Sequence, residues 1–352
     1  MKRTGKPGDP GSGLFRVTVV GAASLKGKEV KDVLSERSFP SDEVKLLDDE
    51  ESMGQLDSVG DEPAFIQQVT PEQMEGSDFT FFATEEVFTT KTWRLARESG
   101  SEIIDMSYAL ESETGAVLRA PMIERELGQI PKVELKTAPV VVAHPASAVL
   151  ALLIARVQKV RQIRSVVATV CEPASEYGKR GMDELHDQTV NLLSFQQMPM
   201  TVFGTQVAFN LGSGYGEDIK PSLRATELRI LSHYTRITGN KLPLPSLMLL
   251  HAPVFHAHTF SIYIDLESPV DQNELQAALS GEHVQITHTL DEEPSNVNVA
   301  GAEEILVSVR PDVQRESGVW LWVAADNLRL SATMAVNCAE EMVATRPRGQ
   351  VQ

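Results

Sequence analysis

FRVTVVGAASLKGKEVKDVLSER, residues 15–37, reads as strand, glycine turn and helix in immediate succession. The apolar run FRVTVV has strand character, and the segment after Gly21 has the polar and apolar mixture of a helix. Phe39-Pro40 then breaks the helix, and EVKLL makes a second strand. A third strand, DFTFFAT, leads to a helix predicted over residues 92–99, which Gly100 ends before the strand SEIIDMS. Strands alternating with helices at this spacing predict βαβ units and a parallel, doubly wound sheet.

Further along, VELKTAPVVVAHPASAVLALLIARVQKV repeats the strand, turn and helix order, with Ala146-Ser147 at the turn. Beyond it come a strand RSVVATV, helices over GKRGMDELHDQTVNLLSF and residues 223–238, and β-rich segments at 246–255, 259–266, 304–309 and 319–324. The fold class expected is therefore α/β: a Rossmann-type parallel-sheet domain plus an α+β domain with a large mixed sheet. The boundaries expected are a disordered tail over 1–13, a dinucleotide-binding domain over 14–142 and a second domain over 143–325. A C-terminal helix, 326–345, is expected to complete the first domain.

The glycine turn carries the first functional argument. Gly21, Ala22, Ser24 and Gly27 supply the small residues that let backbone turn tightly and let a pyrophosphate approach the helix N-terminus. Ser24 brings a Cβ that crowds this approach and a hydroxyl able to bond a phosphate. Spacing alone leaves two readings open, a binding loop or an empty connection of the same shape. The second strand ends in Leu47-Asp48-Asp49-Glu50-Glu51, where a dinucleotide fold places the carboxylate for the adenosine ribose. Acidic groups there repel a 2'-phosphate, so NAD is the cofactor expected and NADP is disfavoured. A merely solvated acidic loop is the alternative.

Composition excludes other classes. With 49 acidic against 32 basic residues the formal charge is -17, which repels nucleic acid. The most apolar run, residues 148–155, is far shorter than the roughly 20 residues of a membrane span, so no membrane partner is expected. Cys171 and Cys338 are far apart and without metal-ligand spacing, which fits a reducing, cytoplasmic setting. His251, His256 and His258, the last two expected on the same side of one strand, offer zinc ligands with Cys171 or Glu172, but no metal is expected.

The order of FRVTVVGAASLKGKEV, RSFPSDEVKLL, SGSEIIDMSYAL, AHPAS, YGKRGMDELHDQT, TQVAFN, APVFHAHTF and VAADNLRLSATMAV resembles that of the aspartate-semialdehyde dehydrogenase family, from about residue 17 to 343. The resemblance implies a homodimer that reductively dephosphorylates aspartyl phosphate with NADPH, by way of a cysteine thioester and a histidine base. It also implies that the nucleophile turn, N-P-N-C-S-T in the family, is His144-Pro145-Ala146-Ser147-Ala148-Val149 here. Ser147 thus stands for the cysteine. An alcohol is not ionised near neutrality as an activated thiol is, and removing such a nucleophile costs roughly 10^4- to 10^6-fold.

By the same resemblance, Glu172 stands for the glutamine of Y-Q-A-V-S-G-A-G, His251 for a carboxylate-clamping arginine and Glu111 for a phosphate-site arginine. Glu227 and Arg229 stand for an acidic and basic substrate pair, His258 for the base, and Gly178 and Asn327 for cofactor contacts. These exchanges predict a diverged, dehydrogenase-like pseudoenzyme that still binds NAD or another small molecule. The alternative is an enzyme in which His258 or Glu172 activates Ser147, and it requires His258 within hydrogen-bond reach of Ser147.

Overall fold

The structure, a computed structural model, describes residues 14–60, 62–129, 138–214, 222–289 and 292–345. The tail expected over 1–13 lies outside them. The described residues fall into two compact units, one holding those up to Val117 with 138–141 and those from Ala335 on, the other the remainder.

The first unit opens with β1 (Phe15–Val20), α1 (Leu25–Glu36) and β2 (Ser41–Asp48). A hairpin of β3 (Leu56–Val59) and β4 (Glu62–Phe65) follows, then β5 (Gln67–Gln68), α2 (Pro71–Met74), β6 (Phe79–Phe82), α3 (Glu86–Glu98) and β7 (Glu102–Asp105). Next in the chain are β8 (Val117–Arg119), α4 (Pro121–Glu126) and β9 (Val140–Val142). The sheet order is β5-β2-β1-β6-β7-β9-β8, and the pairings from β5 through β9 are parallel. Val17, Thr18, Val19 and Val20 of β1 are all buried, as are all four residues of β6. Strands buried on both faces need such unbroken runs, which explains why FRVTVV and FTFF lack alternation.

The first unit departs from expectation at α3 and in the short elements between β2 and β6. Helix α3 begins at Glu86, six residues before the predicted start, because Glu85 takes extended backbone and lets the chain coil directly after β6. The β3–β4 hairpin was not anticipated. It is fastened to α1 by an ion pair between Asp57 and the buried Lys31.

The second unit is built on α5 (Pro145–Val160), β10 (Ile163–Glu172), a 3-10 turn (Ala174–Tyr177), α6 (Gly178–Leu193) and α7 (Leu223–Thr238). Then come β11 (Ser246–His251), β12 (His258–Leu266), α8 (Gln272–Leu279), β13 (Val284–Ile286), β14 (Ile305–Pro311), β15 (Gly318–Ala325) and α9 (Asn327–Thr345), of which the residues from Ala335 on belong to the first unit. Its sheet runs β11-β10-β12-β15-β14-β13 and is mixed: the outermost pairs are parallel and the inner ones antiparallel. The fold class is thus the one the sequence predicts. Helix α5 is apolar all round, and every residue from 145 to 157 is buried. A helix with no polar face is stable only inside a core.

Gly27 in α1 holds the first turn together. A Cβ there would lie 2.1 Å from Gly21 O, backbone that has no room to retreat. Gly27→Ala is therefore expected to destabilise the protein by roughly 1–3 kcal/mol, read as a lower urea midpoint with an unchanged slope.

Candidate functional site

Strand register builds the site at one end of the mixed sheet. Glu172 closes β10 and pairs with His251, which closes β11. Val170 lies opposite Phe260, so His258, at the start of β12, faces the same side as Glu172. Asn327 follows from β15, whose Ala325 pairs with His258. Residues distant in sequence thus meet because four strand ends coincide.

Glu172 is 2% exposed and accepts a hydrogen bond from Tyr177 Oη at 2.5 Å. His251 Nδ1 lies 3.7 Å from the same oxygen, and no hydrogen-bond partner is found for it among the described residues. Burial, reinforced by the neighbouring charge of Glu176, pushes the Glu172 carboxyl up to about 8. Burial likewise pushes His251 down to about 4 and Tyr177 well above its ordinary range. The Glu172–His251 contact at neutral pH therefore joins an uncharged acid to an uncharged imidazole.

Glu176 forms the second half of the cluster. Its Oε1 accepts from Asn327 Nδ2 at 2.8 Å and lies 3.6 Å from His258 Nε2, while Oε2 lies 3.9 Å from His144 Nε2. Asn327 Oδ1 accepts in turn from Ser175 Oγ and from the Ala257 amide. His144 caps α5: its Nδ1 accepts from the Ala146 amide, and its own amide donates to His233 Nδ1 at 3.0 Å. Glu176, Tyr177, His144 and His233 were missed in the sequence. The signal for two of them was present, since CEPASEYG set against Y-Q-A-V-S-G-A-G puts Glu176 and Tyr177 where that run has glycine and alanine.

Ser147 lies in the first turn of α5, fully buried, and its Oγ donates to Ile230 O of α7 at 2.9 Å. A hydroxyl has one proton to give, so Ser147 gives none to His258. Glu227 of α7 faces Arg224 at 3.8 Å, and Arg229 is half-buried one turn before His233. Gly178 opens α6 directly after Tyr177. Glu111 belongs to the first unit, where its amide donates to Tyr108 O. The proposed alignment of His256 with His258 on one strand is corrected, because β12 begins only at His258. Alternation along β10 turns Cys171 to the face opposite Glu172. Among the described residues no three His, Cys, Asp or Glu side chains are grouped to hold a metal.

In the first unit, Gly21 has φ +85°, and a Cβ on it would meet Ala83 O and Thr84 Cβ at 2.7 Å. Ser24 caps α1, accepting from the Gly27 amide and donating to Ala83 O at 2.6 Å. The hydroxyl considered as a phosphate contact is thus engaged within the turn. Asp48 is buried, and accepts from the amides of Ala23 at 2.8 Å and Asp49 at 2.9 Å. Burial raises its carboxyl above the usual range. Asp49 is half-buried, with Glu50 and Glu51 exposed beside it. The tight turn with an acidic second-strand end fits the adenosine side of a dinucleotide in backbone form.

A parallel-sheet unit with a dinucleotide-type turn, followed by a mixed-sheet unit with its polar cluster at the strand ends, defines a two-domain dehydrogenase class. Residues 16–130 match the family model described as semialdehyde dehydrogenase, NAD binding domain, and residues 154–330 match semialdehyde dehydrogenase, dimerisation domain. The chain belongs to the semialdehyde dehydrogenase family, and its first unit is an NAD(P)-binding domain. It is 29% identical to aspartate-semialdehyde dehydrogenase of Rickettsia bellii, over 94% of this chain and 98% of that protein. It is 28% identical to the USG-1 protein homolog of Azotobacter vinelandii, over 93% and 97%. The solved structure of a probable aspartate-semialdehyde dehydrogenase from Pseudomonas aeruginosa superposes with a TM-score of 0.83 at 26% identity, covering 94% of this chain and 99% of that one. No helix among the described residues is long and apolar enough to cross a membrane.

The raised Glu172 and lowered His251 have opposite effects on stability. Between its ordinary value of 4.5 and about 8, Glu172 keeps a proton only when folded, so its contribution falls as pH rises and then levels off. Between about 4 and 6.5, His251 takes a proton only when unfolded, so its contribution rises with pH. The two slopes offset one another up to 6.5 and leave a net decline from there to about 8. Glu172→Gln keeps an acceptor for Tyr177 and is expected to flatten that decline, with a gain on the order of 1–3 kcal/mol at pH 8. Urea unfolding at pH 5, 6.5 and 8 checks this, and parallel curves for variant and parent would contradict it.

Proposed function

We propose that this protein is a non-catalytic, cytoplasmic member of its family, in which serine has replaced the catalytic cysteine and an NAD-preferring nucleotide domain and a homodimeric assembly are kept. The observation that carries the reading is Ser147, fully buried with its proton given to Ile230 O. Attack on a carbonyl needs a deprotonated or base-engaged nucleophile, and this hydroxyl is neither. The surroundings support the same reading. Glu176 stands beside His258, so the inherited base faces an internal carboxylate, and Tyr177 is bonded to Glu172.

The substrate positions point the same way. His251 is uncharged at neutral pH, and Glu111 stands where the resemblance puts a phosphate-binding arginine. An imidazole without charge cannot replace a bidentate guanidinium, and a carboxylate repels phosphate. Glu227 and Arg229 remain as a pair of opposite sign for an uncharged or zwitterionic small molecule. On the nucleotide side, Asp49, Glu50 and Glu51 at the end of β2 support NAD over NADP. Neither cysteine forms a disulfide among the described residues, which supports a reducing compartment.

Homodimerisation is supported by the outward face of the mixed sheet. Val167, Tyr263 and Trp320 stand in one row across β10, β12 and β15, with Met248 on the adjoining row beside Thr169 and Ser261. Val167 is 49% exposed and Trp320 40%, with the Tyr263 and Trp320 rings 4.9 Å apart. An exposed aromatic and aliphatic row with small polar neighbours on one side of a sheet suits a second copy of the same surface.

Two measurements test these readings. Purified protein is expected to bind NAD in calorimetry, to bind NADP at least about tenfold more weakly, and to show no NADP- or NAD-dependent oxidation of aspartate semialdehyde with phosphate. Ser147→Cys is expected to remain inactive, since the Glu176 and Tyr177 side chains stay in place. Turnover by the parent chain would overturn the non-catalytic reading. Sedimentation of Val167→Asp is expected to show monomer where the parent sediments as a dimer.

A further inference from the structure

Helix α3 carries a run of cations that its packing does not use. Thr89, Trp93 and Ala96 are its buried residues, while Lys91, Arg94 and Arg97 are exposed. Like charges three residues apart are neighbours on a helix and weaken it. The helix dipole accounts for Arg97, in the last turn, but not for Lys91 and Arg94 further back. The chain holds 49 acidic residues, yet among the described residues none pairs with Lys91, Arg94 or Arg97.

The two arginines are also held in place. Trp93 is 2% exposed, and its ring lies 5.0 Å from Arg94 Cζ and 5.6 Å from Arg97 Cζ. A guanidinium resting on an indole keeps its charge and its edge donors, and has less freedom left to lose on binding. With Trp93 and Glu98 the two line a hollow of about 310 Å³. Glu98 forms no ion pair with either arginine among the described residues. The hollow stands apart from the glycine turn, because parallel pairing of β6 with β7 returns the end of α3 to the amino edge of the sheet, whereas the turn lies at the carboxyl edge. From Glu86 to Arg97 the helix rises about 16 Å.

We propose that Arg94 and Arg97, braced on Trp93, form a binding site for a compact, multiply charged phosphate, separate from the nucleotide turn. Each guanidinium offers five N–H donors in a fixed fork that matches phosphate oxygens bidentately. Two such forks supply the two positive charges that a dianion calls for, and Lys91 adds a third one turn back. The remaining charge of the chain opposes an anion, but beyond about 8–10 Å it is screened at ordinary ionic strength, so the nearest cations decide. The buried indole leaves no face for an aromatic ligand to stack on. The hollow lies at the low end of ligand sites, roughly 300–1,000 Å³, which suits a small ion better than a segment of peptide.

Calorimetric titration of the full chain with pyrophosphate at low salt tests this. The parent is expected to bind with a Kd of roughly 0.1–1 mM, and more weakly as salt is raised. Arg94→Gln and Arg97→Gln are each expected to lose at least about tenfold, and Arg94→Lys, which keeps the charge without the fork, at least about threefold. Unchanged pyrophosphate binding by an Arg94→Gln, Arg97→Gln double variant of parental melting temperature would put the anion elsewhere and overturn the site. A parent that shows no binding at about 10 mM pyrophosphate would overturn it as well. Tighter binding of a hexaglutamate peptide than of pyrophosphate, lost in the double variant, would replace the phosphate with an acidic protein segment. Binding of NAD is measured beside it, and the double variant is expected to leave it unchanged, so a failure of the nucleotide reading and a failure of this site are told apart.

Discussion

Two carboxylates, Glu172 and Glu176, are enclosed at the end of the mixed sheet, and the character of the site follows from how their charge is handled. Full ionisation of both in so dry a place would cost several kcal/mol for each uncompensated charge. The cluster meets this constraint in two ways. Glu172 holds its proton to about 8 and accepts from Tyr177, so it enters the core as a neutral acid. Glu176 keeps contact with two imidazoles and an amide donor from Asn327. His251 stays neutral because burial disfavours its charged form. An acyl-transfer site requires fixed positive character aimed at a developing oxyanion. Here the strand ends bring together Glu172, the uncharged imidazole of His251 and, beside His258, the carboxylate of Glu176, an environment of the opposite sign.

The same economy of polar groups governs Ser147. It sits in a helix whose first thirteen residues are buried, so its hydroxyl has no solvent to bond. Leaving it unsatisfied would cost about 1–3 kcal/mol, and the carbonyl of Ile230 removes that cost by joining α5 to α7. His144 does the same for the helix end, capping it with Nδ1 while its amide reaches His233. What the resemblance predicts as a reactive turn is, in this chain, a packed helix start in which each polar atom named here has a structural partner.

The fold was legible because its signals are local and redundant. Unbroken apolar strands, glycine turns and helix breakers recur along residues 15–105, where α3 and the short elements between β2 and β6 departed from the expected pattern. The hairpin was illegible because Leu56 and Phe65 face outward, so the pair lacks the buried alternation by which strands are found. Site residues were legible only where a motif marked them, as with Ser147, Glu172, His251 and His258. His233 was not, and Glu176, although the CEPASEYG run set it apart, gave no sign of its role, because both roles arise from contacts that no spacing rule encodes: the His144 amide at the start of α5 in one case, and two imidazoles from different elements in the other.

The two units therefore call for different arguments about what their residues show. Gly21 and Gly27 look like a cofactor signature, yet packing alone demands them, since a Cβ at either would strike backbone within 2.7 Å. Their presence would be required even in a turn that never met a nucleotide. Asp48 is similar, for it closes the turn by taking the Ala23 amide and leaves little of itself exposed.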